Sequence, residues 1–284
     1  MEIIKGNKVV TKFKRICVFL LFALLLLCLT GCGAKEQAEK IGTLEAAGMA
    51  EVKTPAHIEH RQKEQGNIDV QSKPVNYSNI SSALLDLRAG KLKGLVLEGA
   101  VADYVVHRNP DFAAQKDYRV VDFSMITMEK NQEVYEILNS AIVAMKADGT
   151  LDRLVENELQ AYIESDPEPV VLPKFGFGRT IKIGVTGDLP PMDYVAANGK
   201  PAGFNMALLA EIASRAQVNI EVVHIETGAR PMALSSGKVD AVFWTKSITC
   251  PVCKSQIRER FTDAITTESY FSDVSALVMP KPGK

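Results

Sequence analysis

The sequence predicts an α/β protein made of two compact units, and three observations lead to this prediction. Short apolar runs typical of strands alternate with helical patterns from residue 41 onward. A stretch rich in proline and glycine, residues 165–179, separates two such series. A segment that ends a helix, turns at a glycine and enters a strand occurs around Gly90 and again around Gly237. This repeated segment is consistent either with a common βα sequence pattern or with two units of similar topology.

The first series contains the elements expected of one α/β unit and two further helices. Strands are predicted over residues 41–44, 92–97 and 118–123, and helices over 80–88 and 100–106. Apolar residues at helical spacing then predict a helix over 134–145 and a second one that begins at Thr150.

The second series begins at Thr180 and has the same character. Strands are predicted over residues 181–185, 220–225 and 239–244, and helices over 206–216 and 230–236. Because strands and helices alternate in both series, we expect parallel sheets with right-handed crossovers.

The N-terminal segment has the pattern of an export signal. Five basic residues lie within the first 15, and a 14-residue apolar run over 16–29 follows them. Such a run is short for a membrane-spanning helix, which needs about 20 residues. The sequence Leu29-Thr30-Gly31-Cys32 resembles a bacterial lipobox, so we expect cleavage before Cys32 and lipidation of its thiol. An uncleaved signal anchor is the alternative.

Composition excludes some partners and leaves others open. The net charge is −1, and no basic cluster lies in the region after the signal, so nucleic acid is not expected as a partner. Cys250 and Cys253 form a CxxC pair, for which we predict a local disulfide; free thiols or redox activity are the alternatives. No second cysteine or histidine pair completes a metal site, and no metal or cofactor is predicted.

Candidate ligand-binding residues follow from the position of the predicted strands. In open α/β sheets, ligands bind beyond the carboxyl ends of the strands. Glu98 follows a strand of the first series, where it is either a ligand contact or a solvated carboxylate. Trp244, the only tryptophan, is either a ligand platform or a core residue. The other candidates are Asp188, Met192, Tyr194, Thr245 and Ser247. No catalytic set is predicted.

Several segments resemble family 3 extracellular solute-binding proteins, the polar amino-acid receptors of ABC importers. The segments similar to the first lobe of that family are IKIGV at 181–185, DLPPMDY at 188–194, NGKPAGFN at 198–205, SGKVDA at 236–241 and SIT at 247–249. Residues 81–91 and 100–104 resemble its second lobe, and residues 146–152 resemble its C-terminal helices.

The resemblance implies a type II periplasmic-binding-protein-like fold whose two lobes are joined by two crossover strands, near residues 121–128 and 276–279. Because the second lobe precedes the first, the chain is interpreted as a circular permutant. The implied domains are a signal peptide at 1–31, a tether at 32–40, a second-lobe domain at 41–126, closing helices and a linker at 127–179, and a first-lobe domain at 180–284 that ends in a crossover strand.

The resemblance also implies roles for individual residues. The acid that binds a ligand amino group falls on Glu98, and hydroxyl or backbone contacts fall on Thr245 and Ser247. The arginine expected three residues after Thr249 is replaced by Val252. Arg258 is the preferred substitute, with Arg260 and Lys254 as alternatives. A guanidinium suits a buried carboxylate best, so this replacement bears directly on the ligand class.

These features predict a monomeric, lipid-anchored receptor on the extracytoplasmic face of the bacterial membrane. It would capture a small polar, amino-acid-like ligand and deliver it to ABC permease subunits. A lipoprotein sensor or accessory module without a transport role is the first alternative. An enzyme is the second, because the resembled fold also hosts periplasmic dehydratases.

Overall fold

A computed structural model describes residues 40–44, 74–160, 169–196, 198–251, 254–257 and 261–281. The predicted signal, Cys32, Cys253 and Arg258 lie outside the described residues, as do the side chains of Thr245 and Cys250. Lys40–Lys284 forms one compact unit. Within the described residues, no helix has the length and apolar character needed to cross a membrane.

The described residues form a mixed α/β structure, which confirms the predicted fold class. The strands are β1 (Ile41–Leu44), β2 (Pro74–Tyr77), β3 (Gly94–Glu98), β4 (Phe112–Met128), β5 (Thr180–Val185), β6 (Asp188–Leu189), β7 (Asp193–Val195), β8 (Pro201–Ala202), β9 (Asn219–His224), β10 (Ala241–Cys250), β11 (Ser255–Ile257), β12 (Ala264–Thr266) and β13 (Phe271–Pro280). The helices are α1 (Ile80–Arg88), α2 (Gly99–Arg108), α3 (Gln132–Ala147), α4 (Thr150–Val155), α5 (Phe204–Ala216) and α6 (Arg230–Ser235).

One mixed sheet runs through the whole unit in the order β2-β1-β3-β13-β4-β10-β5-β9. We call β1–β3 with α1 and α2 the N-terminal half, and β5–β10 with α5 and α6 the C-terminal half. The strands β2, β1 and β3 are parallel to one another, and so are β10, β5 and β9. The expectation of parallel sheets is therefore correct for the outer strands and wrong for the centre, where β13 and β4 are antiparallel to their neighbours.

The two central strands cross from one half to the other. The first part of β4 pairs with the last part of β13 beside the N-terminal half, from Phe112↔Pro280 to Lys116↔Ala276. The second part of β4 pairs with β10, from Val120↔Thr249 to Thr127↔Ala241. A register shift between Val274 and Ala276 marks the change in β13. Two strands thus join the halves, as predicted.

The repeated segment noted in the sequence has the same form in both halves. Helix α1 is followed by Gly90 at φ 72° and then β3, and helix α6 is followed by Gly237 at φ 73° and then β10. A glycine in the left-handed region commonly ends a helix, because it has no Cβ to clash with the backbone. The same local chemistry therefore builds one helix-to-strand connection in each half.

The closing helices α3 and α4 pack on the C-terminal half. Val134, Leu138 and Ile142 are fully buried at helical spacing along α3. Arg215 at the end of α5 donates to Asp148 Oδ2 at 2.8 Å and to Thr150 Oγ1 at 2.9 Å. These bonds tie the turn between α3 and α4 to α5, and the Thr150 and Arg215 partners lower the pKa of Asp148 to about 2.

A tight contact joins the start of α5 to the loop between β6 and β7. The amide of Phe204 donates to Pro191 O at 3.0 Å, and that of Asn205 donates to Met192 O at 2.8 Å. Gly203 has φ 105°, and a Cβ there would lie 2.6 Å from Met192 O. Only glycine fits, because a side chain would be strained and would push against backbone oxygens. This contact places the loop that carries several candidate site residues.

We expect Gly203→Ala to lower the free energy of unfolding by at least about 2 kcal/mol, since it combines backbone strain with a backbone clash. Gly199→Ala is the matched control: its φ is 78°, but nothing lies within 4 Å of the added Cβ. That control should lose only about 1–2 kcal/mol, the ordinary cost of the left-handed conformation. Urea unfolding of the chain from residue 33 measures both, and equal losses would contradict the packing argument.

Candidate functional site

A cleft of about 720 Å³, counting the part open to solvent, lies between the two halves. Its lining residues are Ser78, Asn79, Ile80, Glu98, Phe123, Thr186, Asp188, Leu189, Met192, Asp193, Asn205, Thr227, Arg230, Phe243, Trp244 and Tyr270.

The cleft lies where strands of both halves end. Ser78 follows β2 and Glu98 is the last residue of β3, while Thr186 directly follows β5. This is the location at which open α/β sheets bind ligands. It explains why polar residues from distant parts of the chain meet there.

Glu98 lies at the wall that belongs to the N-terminal half. It occupies the position before α2 but makes no capping hydrogen bond. Asp273 of β13 takes that role instead, because its Oδ2 accepts from the amide of Ala100 at 2.7 Å. Gly99 makes this approach possible, since a Cβ there would lie 2.6 Å from Asp273 Oδ1. The Glu98 carboxylate is therefore not needed for the helix and lines the cleft.

The environment of Glu98 disfavours its charge. Burial is the main cause that raises the pKa of this carboxyl above its ordinary value, and the neighbouring Asp273 adds to it. Its own backbone hydrogen bond and Arg230 oppose the shift. Among the described residues, no cation forms an ion pair with Glu98 within 4.0 Å. A cation brought into the cleft would favour the charged form.

Asp193 differs from Glu98 because both of its carboxylate oxygens accept hydrogen bonds from protein donors. Oδ1 accepts from Thr186 Oγ1 at 2.6 Å and from the amide of Gly187 at 2.7 Å, and Oδ2 accepts from Asn205 Nδ2 at 2.7 Å. Tyr270 donates to Asn205 Oδ1 at 3.5 Å. Asp193 thus links the end of β5, β7 and the start of α5 beneath the cleft.

Asp188 lies on the same wall as Asp193 but is only half-buried. It opens the small antiparallel sheet β6-β7-β8, in which it pairs with Tyr194. Burial and the nearby Asp193 raise the pKa of the Asp188 carboxyl, while His224 and the Thr186 hydroxyl oppose the shift. Glu98 and Asp188, one on each half of the cleft, are therefore carboxyls whose charged form a bound cation would stabilise.

Arg230 supplies the guanidinium of the cleft. It is the first residue of α6, and its Nη1 donates to Phe243 O at 2.8 Å while its Nε donates to Thr227 O at 3.3 Å. Two backbone carbonyls thereby orient the guanidinium against the wall. Arg230 was not among the site residues predicted from the sequence, although its position beyond the carboxyl end of β9 was an available signal.

Aromatic rings form much of the apolar lining. Phe243 meets Tyr270 edge-on at 5.8 Å between ring centroids, and Phe123 stacks on Phe271 at 5.6 Å. Trp244 is 4% exposed and lines the cleft, so it is both a core residue and a wall residue. Its indole Nε1 has no hydrogen-bond partner among the described residues.

The structure brings together four of the predicted site residues: Glu98, Asp188, Met192 and Trp244 line the cleft. Tyr194 and Ser247 are absent from the lining. The register of β10 shifts between Thr245 and Ser247, and Ser247 then lies opposite Asp122 and donates to its Oδ2 at 2.7 Å. The binding roles predicted for Tyr194, Ser247, Thr245 and Arg258 remain predictions.

No metal site is apparent in the described part of the chain, which contains no group of three or more histidine, cysteine, aspartate or glutamate residues placed to hold a metal ion.

Residues 181–270 match the sequence model of the bacterial extracellular solute-binding proteins, family 3. The resemblance to this family is confirmed for that segment. It comprises about a third of the chain and contains most of the cleft residues of the C-terminal half. No curated protein sequence matches the chain significantly.

Solved structures of similar proteins show low sequence identity. One is the ligand-binding component of an ABC-type import system from Staphylococcus aureus with zinc bound, at 12% identity and TM-score 0.42, covering 86% of this chain and 66% of that one. Another is a probable amino-acid ABC transporter extracellular-binding protein from Bacillus subtilis, at 12% identity and TM-score 0.42, covering 86% and 85%.

We expect Glu98→Gln to stabilise the ligand-free protein at pH 7.5 by roughly 1 kcal/mol, or about 2–4 °C in Tm. A carboxyl whose folded-state pKa is raised stabilises the fold below its ordinary pKa and loses that contribution as pH rises through the raised value. The gain should therefore vanish at about pH 3, well below the ordinary pKa of a glutamate, where the wild-type carboxyl is protonated in both states. Thermal unfolding at the two pH values measures this, and an equal gain at both would contradict burial of the charge as the cause.

Proposed function

We propose that the chain is an extracytoplasmic solute-binding receptor that encloses a small polar, amino-acid-like ligand in the cleft and delivers it to an ABC importer. The observation that carries the proposal is the position of Glu98 on one half and of Asp188 and Arg230 on the other, with the cleft between them. The family match over residues 181–270 supports the same role. The proposal assigns binding to the chain, and no catalysis.

Hinge closure is the proposed mechanism. The halves are joined by β4 and β13, so small backbone changes in two strands can move one half against the other. A ligand that touches Glu98 and Arg230 together gains contacts only when the halves are close, and this difference in binding shifts the population toward the closed form. The closed form would then be the one that docks on a permease.

We also propose the domain order that the sequence suggested, a circular permutation of the family arrangement. Ile41 at the start of β1 lies beside Gly94, and Val278 near the end of β13 lies beside Leu95. Residues 41 and 278 therefore flank the start of β3, two strand spacings or about 10 Å apart. Ends that lie close together are the condition under which a chain tolerates permutation.

Lipid anchoring through Cys32 is part of the proposal and gives a direct prediction. In the native bacterium we expect the wild-type chain to be labelled by a radioactive fatty acid and to sediment with membranes. Cys32→Ser should abolish the label and block the cleavage step, because no thiol remains to be modified. Cys28→Ser lies in the same apolar segment and is the matched control, which should be labelled as the wild type is. Labelling of the Cys32→Ser chain would disprove the assignment.

A thermal-shift and calorimetric screen tests the receptor function. For the chain from residue 33, a ligand present at 100 times its Kd should raise the free energy of unfolding by about 2.7 kcal/mol. Amino acids, amines, oligopeptides and organic acids form the panel. Glu98→Gln should reduce the ligand-induced shift, while Glu221→Gln, an exposed acid on β9, should not.

The outcomes separate the candidate functions. A hit whose shift depends on Glu98 supports the receptor. A hit without any uptake defect in a deletion strain would favour the sensor or accessory module. A flat screen across all four classes would contradict small-molecule binding in the cleft.

A further inference from the structure

We propose that the cleft selects a ligand with two cationic groups and one carboxylate, the chemistry of a basic amino acid. This inference rests on the proposed receptor function and adds the charge class of the ligand. Three observations support it: the charges of the residues that line the cleft, the hydrogen bonds and ion pairs that those residues already make within the protein, and the distribution of the charges over the two halves.

The described lining carries more acid than base. Its acidic groups are the carboxyls of Glu98, Asp188 and Asp193, and its one basic group is the guanidinium of Arg230. A zwitterion with equal charges would leave this excess of negative charge in a partly desolvated space. A ligand with a net positive charge compensates it, because opposite charges attract more strongly where water is excluded.

Only two of the three carboxyls are available to such a ligand. Asp193 accepts three hydrogen bonds from Thr186, Gly187 and Asn205, so it acts as a structural link. Among the described residues, neither Glu98 nor Asp188 has an ion pair within 4.0 Å. Glu98 ends β3 in one half and Asp188 begins β6 in the other. One cationic group would bind each of them, and a ligand holding both would draw the halves together.

The carboxylate of the ligand would bind at Arg230 and Trp244. The guanidinium is oriented by Thr227 O and Phe243 O, and Trp244 is the residue after Phe243 on the same strand. The indole Nε1 of Trp244 is buried without a partner among the described residues. A buried donor without an acceptor is unfavourable, so a carboxylate oxygen that reaches it on closure restores a lost hydrogen bond.

The aromatic lining suits the rest of such a ligand. A basic amino acid carries a methylene stem between its two cationic groups, and this stem can lie along Phe123, Phe243 and Tyr270. Ring faces also attract ammonium and guanidinium groups within about 6 Å of their centroids. An acidic side chain would instead face Asp188 or Glu98 and be repelled.

The test compares ligands of different charge on the chain from residue 33, a form that retains the whole compact unit Lys40–Lys284. Calorimetry measures Kd for L-lysine, L-arginine, L-glutamine, L-glutamate and the diamine putrescine. We expect L-lysine or L-arginine to bind at least about tenfold more tightly than L-glutamine, and L-glutamate to bind most weakly. Putrescine lacks the carboxylate and should bind more weakly than L-lysine.

Variants assign each group to its partner. Asp188→Asn should weaken L-lysine binding at least about tenfold and change L-glutamine binding little, since it removes the partner of the second cation only. Arg230→Gln should weaken L-lysine but not putrescine. Trp244→Phe keeps the apolar ring, removes the donor and should also weaken L-lysine more than putrescine. Glu221→Gln should leave every Kd unchanged, and circular dichroism confirms that each variant is folded.

The Kd values of the five ligands for the wild-type protein test the proposed charge selectivity without any variant. Binding of L-glutamine as tight as that of L-lysine would overturn the charge selectivity and leave the receptor function standing. Tight binding of putrescine, equal to that of L-lysine, would overturn the carboxylate subsite. Failure of every ligand in this panel would overturn the inference, and only failure of the wider screen as well would overturn the proposed function.

Discussion

The pairing of β4 with β13 is the constraint on which the rest of the structure depends. Both strands run through both halves, and each half completes its sheet on one of them: β3 pairs with β13, and β10 pairs with β4. The halves cannot fold as unrelated units, because their sheets share these two strands. The cleft exists because the same strands hold two sets of strand ends opposite each other.

The cleft shows how neighbours give identical groups different roles. Asp193, Asp188 and Glu98 all line it, yet only Asp193 has both oxygens satisfied by protein donors. Its three hydrogen bonds tie together the end of β5, β7 and the start of α5. For Glu98 and Asp188 burial outweighs the available hydrogen bonds, and it raises the pKa of each carboxyl. A buried carboxyl without a compensating charge in the protein is tolerated where a ligand supplies that charge. Carboxyls of this kind are therefore frequent in binding sites.

Most of the architecture could be predicted from periodicity and glycine placement. Helices α1, α2, α3 and α5 lie within a few residues of their predicted bounds, because each has an apolar face, and a glycine or proline follows α1, α2 and α3. The small strands β6, β7, β8, β11 and β12 were missed, since two or three residues give no periodic pattern, and the four-residue strand β2 was missed as well. The antiparallel centre was missed for another reason: local sequence predicts strands but does not record which distant strand lies alongside.

The candidate site was predicted in part. Glu98, Asp188, Met192 and Trp244 were found because each lies near the carboxyl end of a strand or in the loop that follows one. Arg230 was not predicted, because the resemblance places the carboxylate-binding arginine in the segment after Thr249. Ser247 was placed by motif, but the irregular register of β10 pairs it with Asp122. Side-chain direction near such an irregularity depends on tertiary pairing, which a linear pattern does not contain.

The contact between Asp273 and helix α2 has a mechanical consequence. Asp273 belongs to a strand that joins the halves, and its carboxylate holds the first turn of the helix that begins directly after Glu98. Any bend of β13 at its irregular point near Val274 therefore displaces the base of that helix and, with it, the backbone of Glu98. If the two halves move against each other, the direction of the Glu98 carboxylate would then change without any change of its rotamer. The contact of Glu98 with a ligand would therefore vary with the angle between the halves.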